Sequence, residues 1–219
     1  LKNDVIIYSH PRSGLHLLSL GLHGMAHNFN KTTTYEEIWG SQQLPSYNHF
    51  FAEITPTEAD TQFDKHILLL RDYKTLASTS NFNDIQIDFN MLNGHPSGLD
   101  VTGYINQIYK FEDLKSSKMV VYFEDLVSDN NVFLEIANFI GFNYDLKKIN
   151  FINLKKQIMK LYKSSGHLPS TKIVQSERRL KAIHADIKSR IHYQLYKKYL
   201  IRYNTQEKGE EKWANISMN

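Results

Sequence analysis

The stretch Asp4-Val5-Ile6-Ile7-Tyr8-Ser9-His10-Pro11-Arg12-Ser13-Gly14-Leu15-His16-Leu17 carries the first structural unit of the chain. Its opening run is short, apolar and β-branched, which predicts a buried strand over Asp4–Ser9. Pro11 and Gly14 then punctuate a turn. From Leu15 to about His27 the apolar residues Leu15, Leu18, Leu22 and Met25 recur at helical spacing. The chain therefore opens as strand, tight loop, helix. A loop of this kind aims several backbone N–H groups at one point, and the helix dipole adds positive potential there. Gly14 lets the backbone approach an anion, and Arg12 adds a fixed charge with a fork of donors suited to phosphate or sulfate oxygens. An ordinary turn with an exposed Arg12 is the competing reading. The Walker spacing Gly-x-x-x-x-Gly-Lys-Ser/Thr is absent, which speaks against an ATPase or kinase.

The same arrangement recurs downstream. His66–Leu70 predicts a strand with Arg71 at its carboxyl end, followed by a helix from about Tyr73 to Asn81. Met119–Phe123 predicts a third strand, leading through Glu124-Asp125-Leu126 to a helix near Asn130–Ile140 with Gly141 as its C-cap. Strands alternating with helices imply an α/β fold with a central parallel sheet flanked by helices. Ligands of such sheets sit beyond the carboxyl ends of the strands, where the Ser9–Gly14 loop and Arg71 both fall. Phe82–Asp100 and Lys163–Gln175 are rich in Gly, Pro, Ser and Asn and predict loops. Val101–Lys115 (N-cap Asp100), Lys147–Tyr162 and a long basic helix over Glu177–Tyr203 complete the expected elements. Residues 1–204 form one expected domain, and 205–219 a polar tail.

Composition narrows the chemistry. Of 219 residues 41% are hydrophobic, enough for a sizeable core, so disorder is not the expectation. Net charge is +3, which suits an anionic small ligand better than a nucleic-acid track. With no cysteine, disulfides and thiolate zinc sites are excluded, and no metal-ligand cluster stands out. No apolar run approaches the roughly 18–20 residues of a membrane span, and no secretory leader is visible, so a cytoplasmic location is expected.

Imidazole can take a proton near neutral pH, but with ten histidines, any of which can serve on the surface or in the core, the residue type alone selects no base, and Glu36, Glu37 and Glu53 are further candidates.

Four stretches together resemble the sulfotransferases that use 3′-phosphoadenosine 5′-phosphosulfate (PAPS). Pro11, Arg12, Ser13 and Gly14 match the family's 5′-phosphosulfate loop, while Leu15 and His16 stand where the family usually has hydroxyl side chains. Ile67–Arg71 resembles the 3′-phosphate strand, and Thr79 falls eight positions after Arg71, where the family has a Ser. His49 lies 22 positions before Arg71, in the place of the catalytic His of the animal cytosolic members, with Tyr47 replacing their Lys. Protein-tyrosine sulfotransferases, which share the loop Arg, use a Glu base. Val120–Leu126 and Phe133–Gly141 resemble the family's Tyr-Glu-Asp-Met strand end and following helix, with Glu124 a brace for the first loop.

The resemblance implies a P-loop-like nucleotide-binding architecture and in-line sulfuryl transfer from PAPS to a small-molecule or glycan hydroxyl or amine. Adenosine 3′,5′-bisphosphate would be the product. By analogy with phosphoryl transfer, the reaction needs mainly positioning and charge stabilisation. Arg12 and the loop residues Ser13, Gly14, Leu15, His16 and Leu17 would hold the 5′-phosphosulfate. Arg71 and Thr79 would anchor the 3′-phosphate, and His49 would take the acceptor proton. The family's Arg-Lys-Gly loop is missing, and Lys163 and Lys172 are its candidate substitutes. Two other readings compete: a nucleotide-dependent phosphotransferase using the same loop, and a non-catalytic binder of adenosine 3′,5′-bisphosphate.

Overall fold

The computed structural model describes residues 5–10, 13–27, 43–44, 47–52, 63–77, 101–141, 156, 160 and 176–203. Among these residues five strands form one sheet: β1 (Val5–Ser9), β2 (Gln43–Leu44), β3 (Tyr47–Ala52), β4 (Lys65–Leu70) and β5 (Ser117–Tyr122), in the order β2-β3-β1-β4-β5. β1 pairs in parallel with β3 and β4, and β4 in parallel with β5; β2 lies antiparallel at the edge. The described helices are α1 (Leu15–His27), α2 (Tyr73–Ala77), α3 (Val101–Asp113), α4 (Phe123–Ser128), α5 (Asn131–Ile140), α6 (Glu177–Arg190) and α7 (Tyr193–Leu195). α7 runs on through a π turn at Tyr196–Leu200 and a 3₁₀ turn at Ile201–Tyr203. The class is mixed α/β. Among the described residues no helix is long and apolar enough to cross a membrane.

The sheet is covered on both faces, which is why its inner strands are continuous apolar runs rather than alternating ones. Val5 and Ile7 face a cluster with Leu15, Leu18 and Leu22 of α1, Ile67 and Leu69 of β4, and Phe133 and Ile136 of α5. Ile6 and Tyr8 point the other way, into Leu68, Leu70, Tyr104 and Ile108, with Ile187 of α6 and Tyr196 and Tyr199 of the π turn. On that second face His66 is fully buried against Tyr8, with Nε2 at 3.0 Å from the Phe63 carbonyl and Nδ1 at 3.1 Å from the Tyr8 hydroxyl. A carbonyl only accepts, so Nε2 carries the proton and Nδ1 accepts from Tyr8. Both ring nitrogens are satisfied, which keeps the cost of burying this histidine small.

Several boundaries differ from the sequence reading. β2 and β3 were not expected; the run from Tyr47 to Ala52 pairs with β1. The third expected strand begins two residues earlier, at Ser117, and Phe123 already belongs to α4, a short helix where a connecting loop was expected. α3 ends at Asp113 rather than Lys115. Gly141 does cap α5: at φ 89° it adopts the left-handed conformation and donates its N–H to the Ala137 carbonyl at 2.7 Å.

The expected single helix over Glu177–Tyr203 is broken. Ile191 is extended (φ −95°, ψ 136°), and His192 restarts the helix, its side chain accepting from the Gln194 N–H at 3.3 Å. The break lets Tyr196, Tyr199 and Leu200 turn into the same core as Ile187 and Ile191. Of the helix expected over Lys147–Tyr162, Lys156 and Lys160 are helical and exposed, and the remainder lies outside the described residues. Asp100, the two expected loops and the 205–219 tail also lie outside them.

The segment after the break is pinned by polar contacts. Lys198 Nζ lies 2.8 Å from both oxygens of Glu112, and the Tyr199 hydroxyl donates to the same carboxylate. Burial pushes the Glu112 carboxyl up, but these bonds and the Lys198 charge outweigh it and hold the group below its ordinary value.

The contact of α1 with α5 depends on Gly21. A Cβ there would stand 2.1 Å from Cε1 of the buried Phe133 ring. Gly21→Ala should gain about 1 kcal/mol of helix propensity yet lose about 1–3 kcal/mol to overpacking. The expected net result is a lower denaturant midpoint, with the propensity gain recovered when Phe133→Leu makes room. A stabilised Gly21→Ala single variant would show that the two helices separate freely.

Candidate functional site

β1 ends at Ser9, and the chain turns at once. The Ser13 N–H donates to the His10 carbonyl at 3.0 Å, and Gly14 follows at φ 97°, a conformation open to glycine and strained for other residues. The Gly14 carbonyl accepts from the Leu18 N–H at 3.1 Å, the first hydrogen bond of α1. The amides of the first helical turn therefore have no partner within the helix. No acidic residue in that turn offsets the positive end of the dipole. Beside it, the hydroxyls of Ser9 and Ser13 are fully buried and make no hydrogen bond among the described residues. Buried hydroxyls seldom stay unsatisfied without a reason. Together these features make a place for an anion with oxygen acceptors.

The second loop leaves the neighbouring strand at the same level. In the β1–β4 register Ser9 faces Leu69, so Arg71 lies just beyond the end of β1. Asp72 caps α2: its Oδ1 accepts from the Lys74 N–H at 3.0 Å and its Oδ2 from the Thr75 hydroxyl at 3.4 Å. Burial raises the Asp72 carboxyl above its ordinary value, against the opposing pull of Lys74.

Two aromatic side chains tie the loops together. The Phe123 ring fills the space against Gly14, where a Cβ would come within 2.2 Å of its Cδ2, and the Arg71 guanidinium lies 4.3 Å from the same ring's centroid. On the other side Tyr104 packs edge-on to the buried His10, with ring centroids 5.8 Å apart, and donates its hydroxyl to the Arg71 carbonyl at 2.9 Å. Burial, with the nearby Asp72 and Glu124 charges, pushes the Tyr104 phenol well above its ordinary value, so it stays a neutral donor.

The expected residues divide accordingly. Ser13, Gly14 and Arg71 come together at the carboxyl rim. Leu15 contributes only its amide, because its side chain is buried in the core, and Leu17 packs against the same core. His16 lies in the first turn of α1. Glu124 is a brace, as expected, but for the second loop: its Oε1 accepts from the Asp72 N–H at 3.0 Å. His49 pairs with Val5, at the amino end of β1. At about 3.3 Å per residue, its backbone is roughly 13 Å from the level of Ser9. The register thus does not bring the His49 backbone to the rim. Arg12, Thr79, Lys163, Lys172, Glu36, Glu37 and Glu53 lie outside the described residues. Among the described residues no cluster of three metal-ligating side chains occurs.

Sequence reasoning missed Phe123 and Tyr104 as parts of this site. Phe123 stood in a stretch read as scaffold, and nothing local marks Tyr104 among 13 tyrosines. No protein-family model matches the chain, and no curated protein matches it.

Gly14→Ala should combine strain at positive φ with the clash against Phe123, a loss of about 2–4 kcal/mol. In a Phe123→Leu background only the φ share should remain. Chemical denaturation of the four proteins measures both, and a single-variant loss below about 1 kcal/mol would mean that the loop relaxes without cost.

Proposed function

We propose that this chain is a sulfotransferase that takes a sulfuryl group from PAPS and passes it to an acceptor hydroxyl or amine. The observation that carries this reading is the convergence of the Ser13–Gly14 loop and Arg71 at the carboxyl ends of adjacent parallel strands. That spacing of two cationic or amide-lined loops suits a ligand with two separate anionic groups, and a P-loop-like nucleotide-binding architecture is part of the proposal.

The residues divide the work. The amides of Gly14, Leu15 and His16, the Ser13 hydroxyl and Arg12 hold the 5′-phosphosulfate and stabilise negative charge on the leaving oxygen. Arg71, with Thr79, binds the 3′-phosphate, and Lys163 and Lys172 are further candidates for that end. Bound PAPS supplies an activated sulfur, whose bond to the phosphate oxygen breaks as the acceptor oxygen or nitrogen bonds to it. The acceptor proton goes to a base. His49 of β3, whose backbone pairs with Val5, is the proposed base, with Glu36, Glu37 and Glu53 as the alternatives.

Titration calorimetry tests the ligand. Adenosine 3′,5′-bisphosphate should bind and ADP should bind more weakly; equal binding would favour the phosphotransferase reading instead. Arg71→Ala should weaken bisphosphate binding about 10- to 100-fold, the worth of a charged hydrogen bond. Unchanged affinity would remove Arg71 from the site.

Transfer of radiolabelled sulfuryl from PAPS to a panel of phenols, amines and sugars tests the chemistry. His49→Ala should lower turnover by about 10²–10⁴-fold and leave bisphosphate affinity intact. Surviving turnover would move the role of base to a glutamate, Glu36, Glu37 or Glu53. Bisphosphate binding with no turnover on any acceptor would support a non-catalytic binder.

A further inference from the structure

We propose that Glu124 and Tyr203 are positioning residues: they form a bridge from the C-terminal turn Ile201–Tyr203 to the junction of β4 and α2, and this bridge sets the aim of Arg71. The inference rests on the reading of Arg71 as a ligand of the 3′-phosphate.

The peptide unit between Arg71 and Asp72 is held at both of its polar ends. Its carbonyl accepts from the Tyr104 hydroxyl at 2.9 Å, and its N–H donates to Glu124 Oε1 at 3.0 Å. A peptide plane pinned on both sides cannot rotate about its flanking bonds, so the direction in which Arg71 leaves the backbone is set. The guanidinium is steadied separately by the Phe123 ring. Glu124 is in turn held by the far end of the described chain, its Oε2 accepting from the Tyr203 hydroxyl at 3.1 Å.

The turn that carries Tyr203 is itself anchored at the rim. The Tyr203 carbonyl accepts from Lys74 Nζ at 3.2 Å, and the Arg202 fork grips Asp125 at 2.6 and 2.9 Å. The Tyr203 ring meets Tyr73 and Tyr122 edge-on. The bridge thus uses both carboxylate oxygens of one glutamate to join segments 52 and 79 residues away from it. A glutamate serving only α4 would need neither partner.

The test is a set of calorimetric titrations with adenosine 3′,5′-bisphosphate, each with a thermal melt of the same protein. Tyr203→Phe removes one hydrogen bond and should weaken binding about three- to tenfold. Glu124→Ala should weaken it about tenfold or more, and Glu124→Gln, which keeps an acceptor for the Asp72 N–H, should lie nearer the wild type. The deciding measurement is the double variant. If Tyr203 acts through Arg71, Tyr203→Phe changes nothing further in an Arg71→Ala background. Additive losses, or wild-type affinity in both Tyr203→Phe and Glu124→Ala, overturn the bridge while leaving Arg71 as a ligand.

If the wild-type protein does not bind the bisphosphate, the reading of Arg71 as a ligand falls, and hydrogen exchange over residues 71–77 decides the bridge alone. Faster exchange there in Tyr203→Phe supports it, and unchanged exchange overturns it.

Discussion

Parallel pairing of Val5–Ser9 with Lys65–Leu70 sets the geometry on which the candidate site depends. The pairing puts Ser9 level with Leu69, so both chains leave the sheet at one edge and at one height. A slip of one residue would reverse the facing of every side chain in the strand. Val5 and Ile7 would then exchange clusters with Ile6 and Tyr8, and the tyrosine would lose its bond to His66. Because both faces of β1 are buried, nothing in its apolar pattern forbids such a slip. The specificity comes from shape and from polar contacts. The Tyr8–His66 bond joins β1 to β4 directly, and the Phe133 ring against Gly21 and the Phe123 ring against Gly14 fix the helix that follows β1.

Around the rim, polar groups are buried in linked sets rather than singly. Glu124 joins the Asp72 amide to the Tyr203 hydroxyl, Asp72 caps α2, and Tyr104 holds the Arg71 carbonyl. Burial, together with the charge of Glu124 and donation to it, pushes the Tyr203 phenol well above its ordinary value. A phenol that stays protonated is a dependable donor, and a half-buried carboxylate with several donors is less costly than one without. Ser9 and Ser13 break this pattern, with buried hydroxyls that have no hydrogen-bond partner among the described residues. They flank the loop that leads into the first turn of α1, whose amides have no partner within the helix.

Much of the layout was legible in the residues. Strand-loop-helix at the start, the strand before Arg71, the helices beginning at Leu15 and Val101 and the glycine cap at Gly141 all follow from apolar spacing and turn chemistry. The errors have physical causes. Tyr47–Ala52 is short and interrupted by polar residues, so neither period stands out, and its strand character comes from pairing with β1. The break at Ile191 leaves the apolar stripe of Leu180, Ile183 and Ile187 uninterrupted in sequence, since a helix can stop and restart without a proline or glycine. The choice of His49 is not among these errors: it rests on spacing from Arg71, which carries no information on depth along a strand, and the register adds only that its backbone pairs with Val5.

The sequence by itself determined which segments bury both faces, where the turns fall, and which residue types the two loops offer: glycine, hydroxyls and arginine. Those properties are local, since they depend on side-chain polarity at a fixed period and on the few residues that tolerate tight turns. Strand order, register, and the meeting of Phe123, Tyr104, Glu124 and Tyr203 around Arg71 were decided only by the tertiary structure. Periodicity reports that a side chain is buried and is silent about its partner, so contacts between residues far apart in the chain form only once the layers have packed.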